Sequence, residues 1–487
     1  MKLNEILENC SSKFTRNNDK NVNIKGISTN STEMRNNYIF GAIKGKNFNG
    51  ENFINSFSKY KDVVIVISKR SNVDKNIKNK FNTIIVSNVR SFISDIANIV
   101  YKNQIDEIIA VTGTNGKTSV ADYTRQIWEQ NKLKASSIGT LGIIYNDQKI
   151  NSFLTTPQSI DLQKALSKLS ENGCKKVVVE ASSIGIDQNR LFPIKFDKIA
   201  FTNFSRDHLD YHESMTKYLN SKLKLFKNHS KEGTIAILNS DDQKTKTFAE
   251  ICSKKRIKIL DYGENASFLK IISIKKKNNK YFVKIKLKDS KYLLKLNFNS
   301  SFEIYNLFCA MLLVFGEKLE YNSFGTLDKL VSPKGRLEKI YDKKFKIFID
   351  YAHTPDALKN VLLTLNEIKK NRIISIIGCG GGRDKGKRIL LTKEAIKYSD
   401  LVILADDNPR NERPEEIRND MVKGLSKLEK SKINNIGDRK KAIEFGINII
   451  KKNDILLIAG KGHEDYQEIK NKRVFFSDHK IINETLR

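Results

Sequence analysis

At 487 residues the chain exceeds what one hydrophobic core usually supports, so two or three domains are expected, with 39% hydrophobic and 9% aromatic residues to fill their cores. Five scattered cysteines (Cys10, Cys174, Cys252, Cys309, Cys379) with no C-x-x-C pair argue against a disulfide framework or zinc ribbon and suit a reducing compartment. A formal charge of +32 invites nucleic-acid binding, but the lysines are spread along the chain among Asn and Ile, as a residue-usage bias would spread them, so no nucleic-acid partner is expected.

The opening MKLNEILENC lacks the architecture of an export signal, and no apolar run approaches bilayer-spanning length. A soluble cytoplasmic protein without membrane insertion is the expectation. Over residues 1–90, short apolar runs at 38–43, 63–67 and 83–86 alternate with polar loops, which predicts a small α/β domain.

A second block, 91–330, opens with the apolar run 107–111, a glycine turn at 112–116 and a helix from about Lys117. Strands are predicted at Lys176–Glu180, 198–203 and 234–239, separated by helices at 160–171 and 215–227. Apolar strands interleaved with helices predict a parallel sheet covered on both faces. Within 267–298 apolar and polar residues alternate with period two, predicting an antiparallel appendage with a solvated turn at 274–280. Helix resumes around 305–315.

The third block, 331–487, shows four strand-then-loop units at 346–353, 372–381, 401–408 and 455–461. That is the pattern of a doubly wound, Rossmann-like domain, whose ligands gather at the carboxyl ends of its strands.

Residues 111–119 read VTGTNGKTS. Gly113 and Gly116 let backbone N–H groups turn onto phosphate oxygens, Lys117 supplies a point charge, and Thr118 offers a hydroxyl to Mg²⁺. The strict nucleotide-loop pattern fails, because Val111 stands where its first glycine would be. A chance loop is the alternative, but the strand before and the helix after favour nucleotide binding, with Gly113, Thr114, Asn115, Gly116, Lys117, Thr118 and Ser119 as contacts. Glu180 ends an apolar strand and would project toward this loop, unless it is merely a solvated strand-end acid. Residues 201–212 (FTNFSRDHLDYH) follow another strand, and His208, flanked by acids, is a candidate ligand for a divalent cation.

TGTNGKTS resembles the ATP-binding loop of the Mur ligases and their folylpolyglutamate synthase relatives. That resemblance implies a three-domain α/β architecture: a UDP-binding N-terminal domain, a central P-loop-like ATPase domain, and a Rossmann-like C-terminal domain that binds an amino acid. It implies a monomeric, ATP-dependent ligase that makes an acyl phosphate, with Glu180 and His208 holding magnesium alongside Thr118. In YLNSKLKLF, Lys222 stands where the family has a carbamylated lysine bridging a second metal; a plain surface lysine is the alternative.

Further segments carry the likeness along nearly the whole chain. Asn30 and Ser31, with 40–45 (FGAIKG), resemble the UDP-binding domain, although Thr32 departs from the usual Asp-Ser-Arg. Thr155, Thr156, Ser183, Gln188 and Arg190 match segments that hold the UDP-sugar dipeptide, although Ile184 replaces a common histidine. Asn306, Arg336, Asp350 and His353 match contacts to ATP, although Glu303 replaces an asparagine nearby and Gly382 an acid. Asp407, Asn408, Pro409 and Arg410 (DNPR) resemble the motif of enzymes that take meso-diaminopimelate, whose second carboxylate suits an arginine fork. Arg383, Gly460 and Glu464 would complete that pocket. The implied substrates are UDP-N-acetylmuramoyl-L-alanyl-D-glutamate and meso-diaminopimelate. A sister enzyme taking lysine, or a binding protein gated by nucleotide, is the rival reading.

Overall fold

A computed structural model describes residues 1–486 apart from 46, 47, 153, 279 and 471. Among the described residues the chain forms three large sheets, each flanked by helices, in the order the apolar runs predict. No helix among them is long and apolar enough to cross a membrane.

The first sheet has five strands in the order Phe14–Arg16, Asn82–Val86, Val64–Ser68, Tyr38–Gly41, Gly26–Ser28, all parallel except the first. The helix Val89–Val100 packs its Phe92, Ile93 and Ile96 onto this sheet in one hydrophobic cluster. Residue 90, the expected boundary, falls inside this helix, whose cluster also takes in Ile160 of the helix Ser159–Glu171.

In the central sheet the strand Glu107–Thr112 lies between Phe196–Phe201 and Lys176–Glu180, parallel to both. Ala135–Gly139 continues beyond Lys176–Glu180, and Ser230–Asn239 and Lys258–Gly263 continue beyond Phe196–Phe201. The strand order thus reverses beside Glu107–Thr112, which opens a crevice at the carboxyl ends of these strands. Ala135–Gly139 (ASSIG) escaped the sequence reading because its small, polar residues give no apolar run.

The antiparallel appendage is present as Leu269–Lys277, Lys280–Leu287 and Ser290–Leu296, and it extends the central sheet at one edge. The turn expected over 274–280 is shorter than predicted. Strand pairing runs through Lys277 and resumes at Lys280, and Asn279 of the expected turn lies outside the described residues.

The third sheet is ordered Glu338–Asp342, Lys346–Asp350, Ile455–Ala459, Ile373–Ile377, Leu401–Ala405, Ile433–Gly437. The four predicted strands form its centre. Two more, the antiparallel Glu338–Asp342 and the edge strand Ile433–Gly437, are too polar to show as apolar runs.

Candidate active site

Three segments meet because three parallel strands end together. Val111 pairs with Glu180 on one side, and Thr112 pairs with Phe201 on the other. The glycine loop, the Glu180 carboxylate and the segment after Phe201 therefore leave the sheet side by side. The third sheet faces them with the ends of Lys346–Asp350, Ile373–Ile377, Leu401–Ala405 and Ile455–Ala459. Between the two units lies a cavity of about 710 Å³. Residues 113–119, Glu180, His208, Lys222, Asn306, Arg336, Asp350 and His353 all line it, as do Arg383, Asp407, Asn408, Arg410, Gly460 and Glu464.

The loop's glycines are required by contact as well as by φ. A Cβ on Gly113 (φ +151°) would sit 1.9 Å from Thr202 Oγ1, and one on Gly116 (φ +86°) 2.5 Å from Asn306 Oδ1. The neighbouring strand end straps the loop down. Asn115 N–H donates to Asn203 Oδ1 at 2.9 Å, and Thr202 Oγ1 donates to the Asn115 carbonyl at 2.7 Å. Gly116 then starts the helix Lys117–Gln130, whose unpaired N–H groups and dipole favour an anion at this end.

Lys117 Nζ donates to the carbonyls of Gly113 (3.0 Å) and Thr114 (2.7 Å). Burial pushes its pKa down, opposed by Glu180 and Asp207. The Glu180 carboxyl is pushed up by burial, opposed first by Lys117. Glu180 Oε2 accepts from Thr118 Oγ1 (3.0 Å) and Thr140 Oγ1 (3.2 Å), and Oε1 accepts from the Thr140 N–H (2.8 Å). Arg336 Nη2 reaches across from the third unit to donate to Thr118 Oγ1 at 2.9 Å. Lys222, fully buried, donates to the Gly113 carbonyl at 2.7 Å over the Tyr218 ring, and burial lowers its pKa far below the usual lysine range.

His208 sits in the left-handed region (φ +54°), a strained conformation of the kind that clusters at functional sites. Its Nε2 lies 3.4 Å from Asp207 Oδ2, and burial lowers its pKa to about 3, so the ring is neutral. Burial pushes the Asp207 carboxyl up, but the groups around it, Lys387 and His353 among them, hold it well below the usual range. The Lys387 ammonium donates to Asp207 Oδ1 at 3.0 Å. Beside this pair Arg206 makes a two-pronged ion pair with Asp384, at 2.9 and 3.0 Å. Asn115 Nδ2 donates to Asp356 Oδ2 at 3.0 Å. These contacts clasp the second and third units together across the cavity.

On the far wall Arg410, also left-handed (φ +54°), is aimed by Glu468 (3.0 Å) and by the carbonyl of Gly381 (2.9 Å). Glu464 accepts from Asn408 Nδ2 and Lys461 Nζ, each at 3.1 Å, and from Tyr351 OH at 3.2 Å. Asp407 Oδ1 and Arg336 Nε are buried without a hydrogen-bond partner. Such unmatched groups are what a polar ligand would complete.

The residues expected at a UDP-sugar dipeptide divide. Thr155 and Ser183 line the cavity, and the Ser183 hydroxyl lies 3.0 Å from His212 Nε2. Thr156, Gln188 and Arg190 stand behind the wall. Thr156 Oγ1 donates to the Glu180 carbonyl at 2.7 Å, and Arg190 donates to the Thr156 carbonyl (2.7 Å) and the Gln188 Oε1 (2.8 Å). Asn30 and Ser31 lie in the turn that follows the strand Gly26–Ser28 and do not line this cavity; Asn30 Oδ1 accepts from the Thr32 N–H and hydroxyl. Pro409 is set back too, its carbonyl oxygen where a Cβ on Gly381 would be, 2.0 Å away.

The departures from the family pattern have local reasons. Glu303 caps the helix Ser301–Phe315 by accepting from the Asn299 and Ser300 N–H groups, and also accepts from Tyr123 OH at 3.1 Å. Gly382 is left-handed (φ +62°), with its N–H on Glu412. Thr32 serves the Asn30 turn; for Ile184 the structure offers no explanation.

The sequence reading missed Thr140, Lys387 and Asp356, and it named Asp207 only as a flanking acid. Only Asp207 carried a signal, its place beside His208.

Residues 111–314 match the Mur ligase middle domain, and residues 335–462 match the Mur ligase glutamate ligase domain. A relative from Aquifex aeolicus (strain VF5) is 38% identical over 465 residues, 95% of this chain and 94% of its own. One from Rickettsia bellii (strain RML369-C) is 40% identical over 477 residues, 95% of each chain. Both are named UDP-N-acetylmuramoyl-L-alanyl-D-glutamate–2,6-diaminopimelate ligase. A solved structure of a ligase of that name is 28% identical, with a TM-score of 0.64 over 95% of this chain and 94% of its own.

Proposed function

Since this chain belongs to the Mur ligase family, we propose that it is the ligase that adds meso-diaminopimelate to the D-glutamate of UDP-N-acetylmuramoyl-L-alanyl-D-glutamate in peptidoglycan synthesis. It is an ATP-dependent, amide-bond-forming enzyme that works through an acyl phosphate. The observation that carries the reading is that the glycine loop, Glu180, Asp407, Asn408 and Arg410 line one cavity.

A carboxylate of the UDP-sugar dipeptide attacks the γ-phosphoryl group of ATP, ADP leaves, and an acyl phosphate forms. The amine of the incoming amino acid then attacks the acyl carbon, phosphate leaves, and the amine gives up a proton. Lys117 and the helix N-terminus supply positive charge where negative charge develops on the phosphoryl oxygens. Arg336, Asp350, His353 and Asn306 surround the nucleotide. Thr155 and Ser183 contact the dipeptide, while Thr156, Gln188 and Arg190 hold that wall, and Asn30 and Ser31 meet the uridine end. Arg410 and Arg383 take the carboxylates of diaminopimelate, and Glu464 its distal ammonium, leaving the other amine free to attack, with Asp407 lining the pocket. Asn408, Pro409 and Gly460 shape this pocket.

The donor set fits magnesium. Among the described residues no three carboxylate, histidine or cysteine side chains converge as a protein-only metal cage. Magnesium keeps much of its shell as water and phosphate oxygen, so a buried carboxylate with a hydroxyl on it, Glu180 with Thr118, suffices beside a triphosphate. His208 and a carbamylated Lys222 would complete the set, and burial lowers the Lys222 pKa toward the neutral amine that carbamylation requires. Bound there, magnesium neutralises charge on the transferring phosphoryl group. Every residue given a role belongs to one chain, so the reading needs no second copy, and the intracellular supply of ATP favours the cytoplasm.

The test is a panel of amino acids offered with ATP and the UDP-sugar dipeptide. meso-Diaminopimelate alone should drive product formation and phosphate release; equal turnover of lysine would sink the assignment.

A further inference from the structure

Ten lysines and a single acid, Asp289, fall within residues 269–297. The three antiparallel strands there sort this sequence onto two faces. Leu269, Ile271, Tyr281, Val283, Ile285, Leu287, Leu294 and Leu296 turn inward to the central core. The alternate residues turn outward, where Lys270, Lys275, Lys277, Lys280, Lys284, Lys291 and Lys295 are exposed and Lys286 is partly so. Ile272 and Leu293 stand among them, 42% and 56% exposed.

Register makes the arrangement costly. Lys270 is directly opposite Lys286, and Lys286 directly opposite Lys291, a row of three ammonium groups across three strands. Lys277 likewise faces Lys280. Like charges placed opposite one another destabilise a sheet. The one acid, Asp289, is fully exposed and reaches only Lys286, at 3.8 Å. Protection of a free sheet edge accounts for lysines on Ser290–Leu296, the outermost strand. It does not account for Lys284 and Lys286 on the middle strand, where the backbone is paired on both sides.

We infer that this lysine face docks reversibly on an anionic phospholipid surface. The charge is of the sign and density that gathers anionic headgroups. Every cation on the face is lysine, a strongly hydrated point charge, whereas recognition of nucleic acid leans on the planar arginine fork and on stacking aromatics. Exposed Ile272 and Leu293 suit the interfacial zone of a bilayer, where apolar side chains enter between headgroups. None of the residues on this face lines the cavity assigned to the ligase reaction, so docking would bring the enzyme to the membrane without occupying that cavity.

The experiment is co-sedimentation of the full chain with vesicles of phosphatidylglycerol and phosphatidylcholine, compared with pure phosphatidylcholine. Binding is expected only to the anionic vesicles and should be lost at high salt. Replacing Lys270, Lys286 and Lys291 together with Gln should weaken partition by roughly a hundredfold, at about fivefold per lysine. That variant relieves cross-strand repulsion, so its melting temperature should equal or exceed the parent's, and its ligase activity should match. The control, Lys423, Lys427 and Lys430 to Gln, removes equal charge from another exposed surface and should bind like the parent. Equal weakening of both triple variants would assign binding to net charge alone and overturn the inference. So would equal binding to neutral vesicles, or a duplex DNA that binds through this face while anionic vesicles do not.

Discussion

Lys117 and Lys222 converge on one atom: both side-chain nitrogens lie against the carbonyl oxygen of Gly113, at 3.0 and 2.7 Å. Two ammonium groups on one buried carbonyl repel each other, and Lys222 has no carboxylate within hydrogen-bonding distance to compensate. Burial first and the Lys117 charge second hold its pKa well below the usual lysine value, toward the neutral amine.

A lysine with a depressed folded pKa costs stability at neutral pH, because the unfolded chain binds a proton that the folded chain excludes. That cost fades as pH rises toward the unfolded value of 10.5. Lys222→Met should raise the Tm by a few degrees at pH 7 in metal-free buffer while abolishing turnover. The stability gap from the parent should narrow between pH 7 and 10. Melting curves that stay parallel across that range would contradict a neutral Lys222.

Lys117→Ala should reduce kcat by at least three orders of magnitude, since the Lys117 ammonium sits on the Gly113 and Thr114 carbonyls of the glycine loop. A single-turnover assay of acyl-phosphate formation reads this step, and near-normal kcat would remove Lys117 from it.

Gly139 has no place among nucleotide-loop motifs, yet a Cβ there would lie 2.0 Å from Glu180 Oε1 and 2.5 Å from its Cδ. Gly139→Ala should push the Glu180 carboxylate away from Thr118 and Thr140. A displacement on the ångström scale at such a site costs roughly a hundredfold in kcat. Unchanged kcat in a folded variant would show that the Glu180 position is not critical.

Arg410 is held by Glu468 and the Gly381 carbonyl before any ligand arrives. Arg410→Lys keeps the charge but loses the fork, at about 1.5–3 kcal/mol for a charge-assisted contact. KM for diaminopimelate should rise by one to two orders of magnitude, with KM for ATP little changed. An equal rise in both would move Arg410 out of the amino-acid pocket.

His229 is buried, Nδ1 lies 2.9 Å from the Ile194 carbonyl, and burial lowers its pKa to about 4. Its folded value lies below the unfolded 6.5, so the unfolded chain binds more protons between these limits and stability falls as pH drops from 6.5 toward 4. His229→Asn keeps a donor near Nδ1 but cannot titrate. The variant's urea midpoint should depend less steeply on pH across that window, and an unaltered slope would exclude His229 as a contributor.

Much of the architecture was legible because buried parallel strands must be continuously apolar. Glu107–Thr112, Lys176–Glu180 and the four central strands of the third sheet could be read directly, together with the glycine loop and the acid at a strand end. Ala135–Gly139 and Ile433–Gly437 were not legible, since polar and small residues in them are stabilised by neighbours rather than by their own pattern. Period-two alternation foretold the appendage strands but not that Lys270, Lys286 and Lys291 would stand in a row, because register depends on turns and bulges.

Chemical identity and local order were thus encoded along the chain: a phosphate-binding turn, a strand-end carboxylate, an arginine in DNPR. Only folding decided that Gly139 backs Glu180, that Lys387 meets Asp207 across 180 residues, and that two lysines share one carbonyl. Those relationships join strand ends and separate units, and burial, charge and distance at such junctions arise from packing that no single segment contains.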